Sequence, residues 1–557
     1  MTTKRNHIVF FFFAVIMHLT AAPQQQYNEL FTGAHELLNA RLYTYKTPFH
    51  PDIQPYNQID IYKAAPYDSL FNYSLPEGKK ALKKILSRHI ITYDDSEVSF
   101  TADPLIDAIG GYDFSGKKAL FESGIGAGID ANFYDKVYAG GTIMYHQSSF
   151  PDFVDDKIIK AKTIPGHAYA YKSPLGGYNY LDYNFYLSYR FLKYFNVEAG
   201  FGKNFWGDGY RTLFLSEAAY NYPYLKITTS VWNIKFINLY TNFKDMSGIT
   251  SSRWKKMPNK FGAFHYLSFD ISKRVNFGFF ESVIWQEKDS SGNRGFDFAY
   301  INPIIFLRPV EFQRGSPDNS LLGVSLRVKV GKKTSLYGQL LIDDIIFGEV
   351  TKGIINRVKR IINHDSTLTY GYWTNKQAWQ IGVKSYDLFK IKNLSAQLEF
   401  NFVRPYTYAH RIVMQNYGHY NQPLAHPAGA NFSEAVFFLR YSYRRWFFEA
   451  HINYIRTGLD AVDSDFGQDI YKPAWDAYDA SIDNVVLKPY FNTIGQGIKT
   501  NISYYSIDMS YLLNPKNNLR FVFRYYYRRS ASEVKSNSAN VISLGIRMSV
   551  PNPHFDY

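Results

Sequence analysis

A chain of 557 residues has room for several soluble domains or one very large sheet-based one, and with 48 Tyr and 45 Phe it is 18% aromatic, a richness that favours strands and membrane interfaces. The formal charge of +14 would permit nucleic-acid binding, but the basic residues are scattered along strand-like segments rather than gathered in one helix or tail, which argues against it. The chain contains no cysteine, which excludes a disulfide framework and a lipid anchor through a modified Cys.

At the N-terminus, Lys4 and Arg5 precede the apolar run "IVFFFFAVIM" and the small residues Thr20, Ala21 and Ala22. This order reads as a secretory signal peptide over residues 1–22, too short to cross a bilayer as a helix. Residues 23–95 read as a periplasmic, plug-like segment. Within it "PEGKKALKKILSRHI" (residues 76–90) spaces Leu82, Ile85 and Ile90 for a small basic amphipathic helix, suited to a lipid surface, a barrel mouth or the first strands.

From residue 96 to 557 the recurring signal has period two. "LLGVSLRVKV" puts Leu322, Val324, Leu326, Val328 and Val330 on one face and Gly323, Ser325, Arg327 and Lys329 on the other. "LSAQLEFNF" and "VISLGIRMSV" do the same. Each such strand has one apolar wall and one wet wall. Tight turns join pairs such as "LSYRFLKYFNVEAGFG" and "SFDISKRVNFGFF", while longer polar inserts cover about residues 203–222, 246–261, 346–375, 404–432 and 458–495. Short turns alternating with long loops predict an all-β fold, a transmembrane antiparallel outer-membrane β-barrel of about 16–18 strands. Arg and Lys on the wet wall predict a polar, net basic interior.

One insert stands out. "FGKNFWGDGYR" (residues 201–211) is not a phosphate loop, because its lysine precedes the glycines and no helix follows. It offers Asp208 as a lone carboxylate, which does not make a catalytic site. Trp206 and Tyr210 with Asp208 and Arg211 suit a sugar, rings stacking on its faces and charges holding its hydroxyls and carboxylates. The competing reading is a structural constriction folded into the lumen. "GIGAGI" (residues 124–129) reads as close strand packing. His419 and His426, seven residues apart in "NYGHYNQPLAHP", lack the neighbours of a metal site. No protease, lipase, kinase or zinc-enzyme signature is present, so the expectation is a non-enzymatic protein without cofactor or metal.

Several segments together, among them "FGKNFWGDGYRTLFLSEAAYNYPYLKI", "NPIIFLRPVE", "RGSPDNS" and "RPYTYAHRIVMQNYGHYNQPLAHPAGANFSE", resemble the Wzi-like capsule-assembly and RemB-like gliding-motility outer-membrane barrels of Bacteroidota, from about residue 95 to the end. The resemblance implies an 18-stranded barrel with N-terminal helical material and lectin-like retention of surface polysaccharide. Carried onto this sequence it points to Trp206, Asp208, Tyr210 and Arg211 in the first motif and His419, Tyr420 and His426 in the second. The expected partners are outer-membrane lipid, an acidic surface polysaccharide and other envelope proteins. The expected alternatives are an accessory component of gliding or secretion machinery and a passive channel.

Overall fold

Strands with one apolar face must hide that face or turn it to lipid, and a sheet closed on itself does the second without leaving any backbone edge unpaired. In the computed structural model, which describes residues 32–44, 49–56, 86, 88–95, 97–134, 136–246, 257–289, 292–302, 318–462, 464–474, 489–549 and 555–557, eighteen antiparallel strands close into one barrel. The first nine are β1 (Val98–Asp113), β2 (Lys118–Phe133), β3 (Val137–Ser148), β4 (Tyr178–Phe191), β5 (Phe195–Gly202), β6 (Tyr222–Val231), β7 (Ile234–Lys244), β8 (Asn259–Asp270) and β9 (Val275–Gln286). The second nine are β10 (Asn319–Val330), β11 (Thr334–Asp344), β12 (Lys376–Tyr386), β13 (Leu394–Val403), β14 (Phe432–Tyr443), β15 (Trp446–Leu459), β16 (Ile498–Asn514), β17 (Leu519–Ser532) and β18 (Ser536–Arg547). Each strand pairs with the next, and β18 pairs with β1 from Val541↔Asp113 to Arg547↔Asp107 to close the ring.

The sense of burial identifies the solvent outside. In β10, Gly323, Ser325 and Arg327 are buried within the barrel, while Leu326 and Val330 are exposed. Ile125 and Ile381 are 68% and 61% exposed on the outer wall. Such a surface is apolar out and polar in, the pattern of a barrel whose exterior meets hydrocarbon. Connections such as 192–194, 232–233, 331–333 and 444–445 are tight turns at one end. The loops 149–177, 203–221, 404–431 and 460–497 leave the other end, which in bacterial barrels is the outer face.

The described residues also form three α-helices: α1 (Thr32–Thr44), α2 (Asp152–Ala161) between β3 and β4, and α3 (Phe347–Asn363) between β11 and β12. None is long and apolar enough to cross a membrane. The helix expected within residues 76–90 falls largely on positions outside the described residues, as does the signal segment 1–22. Residues 346–375, read from the sequence as a polar loop, instead carry the whole of α3.

Candidate functional site in the barrel lumen

A loop that enters a barrel takes its backbone amides out of water, and each must find an acceptor there. The loop 203–221 does so by lying against the wall and against an N-terminal segment that comes in from the short-turn end. Phe205–Trp206 pairs with Ile53–Gln54 as a small antiparallel ladder, and Gly207 N–H donates to the Asp52 carbonyl at 2.8 Å. The Glu399 carboxylate on β13 takes the amides of Tyr210 at 2.8 Å and Arg211 at 3.1 Å, and the Tyr337 hydroxyl at 2.8 Å. The glycines fit this approach. A Cβ on Gly209 would overlap the Glu399 carboxylate and the Arg211 carbonyl.

Two ion-pair clusters pin the loop. Arg327 of β10 donates to Asp208 at 2.7 Å and to Asp52 at 3.4 Å, joining loop and N-terminal segment through one guanidinium. Tyr43 of α1 donates to the same Asp208 at 2.6 Å, and Tyr266 to Asp52 at 2.8 Å. Three residues further along, Arg211 reaches both carboxylate oxygens of Asp556 at 2.7 Å, with Glu434 at 3.6 Å from its Nε. Burial opposes the Arg211 charge, yet the Asp556 carboxylate holds its pKa above the ordinary arginine value. Residues 555–557 thus fold back into the lumen after β18, where the Tyr557 carbonyl also accepts from Lys157 of α2 at 2.6 Å.

A second loop, 404–431, covers the first from the long-loop end. Tyr408 and Tyr417 donate to the carbonyls of Leu213 and Phe214 at 2.9 and 2.7 Å. Trp206, Leu213, Phe214, Leu215, Tyr408, Tyr417 and Leu424 join inward-facing residues of the strands in one dry cluster. That cluster fills the sector of the lumen toward β7–β14. The sector toward β14–β18 and β1–β5 holds a cavity of about 650 Å³.

The cavity wall is polar and charge-balanced: among described residues it carries seven Lys or Arg and eight Asp or Glu. This corrects the expected net basic interior, and the reason is that wall cations meet carboxylates on the same strand layer, from the next strand or the one beyond it. Arg440 on β14 meets Glu449 on β15 at 2.6 Å, Arg524 on β17 meets Asp508 on β16, and Arg547 on β18 meets Glu122 on β2. Tyr186, Tyr210 and Tyr224 bring rings to the same space, beside His146, His167 and Asp182.

The sequence-derived candidates have distinct fates. Trp206 is fully buried, its indole stacked on Tyr266 with centroids 5.5 Å apart. Asp208 and Arg211 are buried in the two ion-pair clusters. Tyr210 borders the cavity and donates to Asp556 at 3.1 Å. His419 is buried in a two-residue hairpin, where its Nδ1 accepts the Lys244 amide at 2.9 Å and its Nε2 faces the Asn221 carbonyl at 3.2 Å. Both ring nitrogens are used, and burial pushes its pKa down to about 3. His426 lies 2.7 Å from Glu434, within the cluster that holds Arg211. Tyr420, at the tip of the hairpin with φ of 53°, packs edge-on to Tyr220. The first and second motifs therefore meet through Glu434, and the wall arginines Arg440, Arg524 and Arg547 join the site. Those three were visible in the sequence only as basic residues on the wet face of strands.

No protein-family model matches the sequence, and no curated relative matches it. Among solved structures, the barrel is similar to Wzi of Escherichia coli, described as an outer-membrane protein involved in group 1 capsule assembly and a carbohydrate-binding β-barrel. The TM-score is 0.54 at 11% identity, over 95% of this chain and 100% of that one. OprD of Pseudomonas aeruginosa aligns at a TM-score of 0.40 and 9% identity over 80% of this chain and 94% of that one. OccAB2 of Acinetobacter baumannii aligns at 0.41 and 8%, over 80% and 96%. The structural likeness to Wzi places this chain in the outer-membrane β-barrel fold.

Proposed function

We propose that this outer-membrane barrel is a non-enzymatic binder of surface polysaccharide, held at the cavity bordered by Tyr210. The observation that carries the reading is the plug. Two loops and the N-terminal segment are fastened across the lumen by buried ion pairs, an arrangement suited to presenting a site rather than to free passage. Paired arginines and carboxylates beside tyrosine rings offer what a sugar needs, donors and acceptors for hydroxyls and flat apolar faces for the ring. The Escherichia coli barrel of the same fold is described as carbohydrate-binding, which supports the same ligand class here. The net charge of +14 would draw an acidic polysaccharide toward the barrel at long range, an attraction weakened by salt, while the charge-balanced cavity wall holds it by paired donors and acceptors.

The test is binding of the producer's own polysaccharide to the detergent-purified barrel by calorimetry, beside Tyr210→Ala and Arg524→Ala. Each variant is expected to weaken binding at least tenfold while keeping heat-modifiable mobility. Trp206→Ala should act through stability instead. Absence of binding by the wild type, with surface polysaccharide intact in a deletion strain, sinks the reading. A stoichiometric complex with other envelope proteins in its place would transfer the role to protein assembly, and a large open conductance in planar bilayers would transfer it to a channel.

A further inference from the structure

Helix α3 is amphipathic in the reverse sense from a soluble surface helix. Phe347, Ile354, Ile355, Val358, Ile361 and Ile362 lie on one side of the helical wheel, and no residue of the helix is buried. Phe347, Ile354 and Ile361 are 71%, 62% and 71% exposed. The opposite side is the one that meets the protein. Asn356 Nδ2 donates to the Thr369 carbonyl at 2.7 Å, and Arg360 donates to the Leu368 carbonyl at 3.3 Å. The Arg357 and Arg360 guanidinium groups lie 5.6 and 5.8 Å from the centre of the Tyr370 ring. A helix packed in water buries its apolar stripe and wets the rest. This one grips the protein with polar groups and turns the stripe away.

We propose that α3 lies in the membrane interface at the outer rim of the barrel, with its apolar face in the acyl chains and its cations at lipid phosphates. Three observations select lipid over a protein partner. The helix begins three residues after Asp344, the last residue of β11. The outward residues of β12 on the side toward the long loops, Trp379 and Ile381, are exposed apolar side chains of the lipid-facing wall, so the stripe continues an existing lipid contact. The helix also carries Lys352, Arg357, Lys359 and Arg360 against Glu349 alone, the composition of an interfacial helix on an anionic surface. Such a helix would brace the β11–β12 loop against the bilayer, fixing how the long-loop face stands above it.

The chain's lack of cysteine makes the test direct. Val358→Cys and Ile361→Cys, each labelled with an environment-sensitive nitrobenzoxadiazole dye, are reconstituted as full-length barrels in phosphatidylcholine–phosphatidylglycerol vesicles. Lys535→Cys, in the β17–β18 turn at the same end, is the water-exposed control. The helix labels are expected to emit blue-shifted light and to lose at least half their intensity when the acyl chains carry bromine, while the control responds only to aqueous iodide. Helix labels quenched by iodide like the control would overturn the proposal. So would labels that become shielded only on addition of a second copy or of other envelope proteins.

Discussion

Arg327 is the residue on which the plug turns, and removing its charge should release it. In Arg327→Met the Asp208 and Asp52 carboxylates stay where they are, at 6% and 0% exposure, without the cation that faces both. Breaking a buried pair from one side costs about 3–5 kcal/mol because the surviving charge is left without compensation. Here two are left. The barrel wall is held by a continuous ladder of strands, so the loss falls on the inserted segments rather than on the cylinder. At about 1.4 kcal/mol per decade, the population with α1 and residues 49–56 detached should rise roughly 10²- to 10⁴-fold. Proteolysis of a transiently opened segment follows that population when closing is fast. Trypsin cleavage at Arg41, on the exposed side of α1, should therefore accelerate by a similar factor in detergent, and planar-bilayer recordings should gain conducting events. Adding Asp52→Asn and Asp208→Asn to Arg327→Met removes the orphaned charges and should restore most of the protection. If Arg327→Met folds, shows heat-modifiable mobility and is cut no faster than wild type, the plug is held by something else. Equal cleavage of the single and triple variants would likewise refute the charge argument.

Two further outcomes are expected. Gly209→Ala places a methyl group against the Glu399 carboxylate and the Arg211 carbonyl, so it should destabilise the lumen loop by about 1–3 kcal/mol, read as a lower temperature for loss of heat-modifiable mobility. The loop 404–431 should loosen in acid. His419 is neutral in place with a pKa near 3, whereas a released histidine takes up a proton below about pH 6.5. The released state then binds more protons, so anchoring is complete above pH 6.5 and weakens as pH falls toward 3, by at most about 1.4 kcal/mol per unit. His410, pushed down to about 4 by burial, adds in the same direction. Protease protection of this loop should fall between pH 7.5 and 4.5, and fall less in the double variant His410→Gln/His419→Gln.

The barrel was legible because its rule is local. A strand of ten residues displays its own alternation, and pairs such as Tyr178–Phe191 with Phe195–Gly202 carry their turn between them. The helix α3 was legible in principle as well. Ile354, Val358, Ile361 and Ile362 recur at helical spacing, a signal that a reading tuned to period two passes over. What could not be read is which insert enters the lumen and what meets it there. Asp208 finds its partners 119 residues ahead in Arg327 and 165 behind in Tyr43. Arg211 finds Glu399 and Asp556 at 188 and 345. No local pattern encodes separations of that size, so charged residues that look free in a loop can be fully committed inside the fold.

The same reasoning explains why charge and aromatic content mislead in opposite ways. A basic residue on a barrel's wet face faces neighbours on adjacent strands only about 5 Å away; two of the cavity arginines, Arg440 and Arg524, meet a carboxylate across that gap, and Arg547 reaches over β1 to Glu122 on β2. Counting cations along the chain therefore overstates the positive potential a ligand would meet inside. Aromatic residues err the other way. Trp206 sits in a motif rich in the groups that bind sugars, yet a bulky ring in a loop entering the lumen is also what fills the space between loop and wall, and the indole is spent on Tyr266, Phe264 and Phe280. Tyr210, four residues later, keeps an edge on the open cavity because Gly209 lets the backbone hug Glu399 and leaves the next side chain turned toward β14 and β15, where it packs on Phe438 and His451. The glycines of this motif are thus what divides its rings between scaffold and cavity, and the division can be tested by comparing Trp206→Ala and Tyr210→Ala for stability and binding in the same preparation.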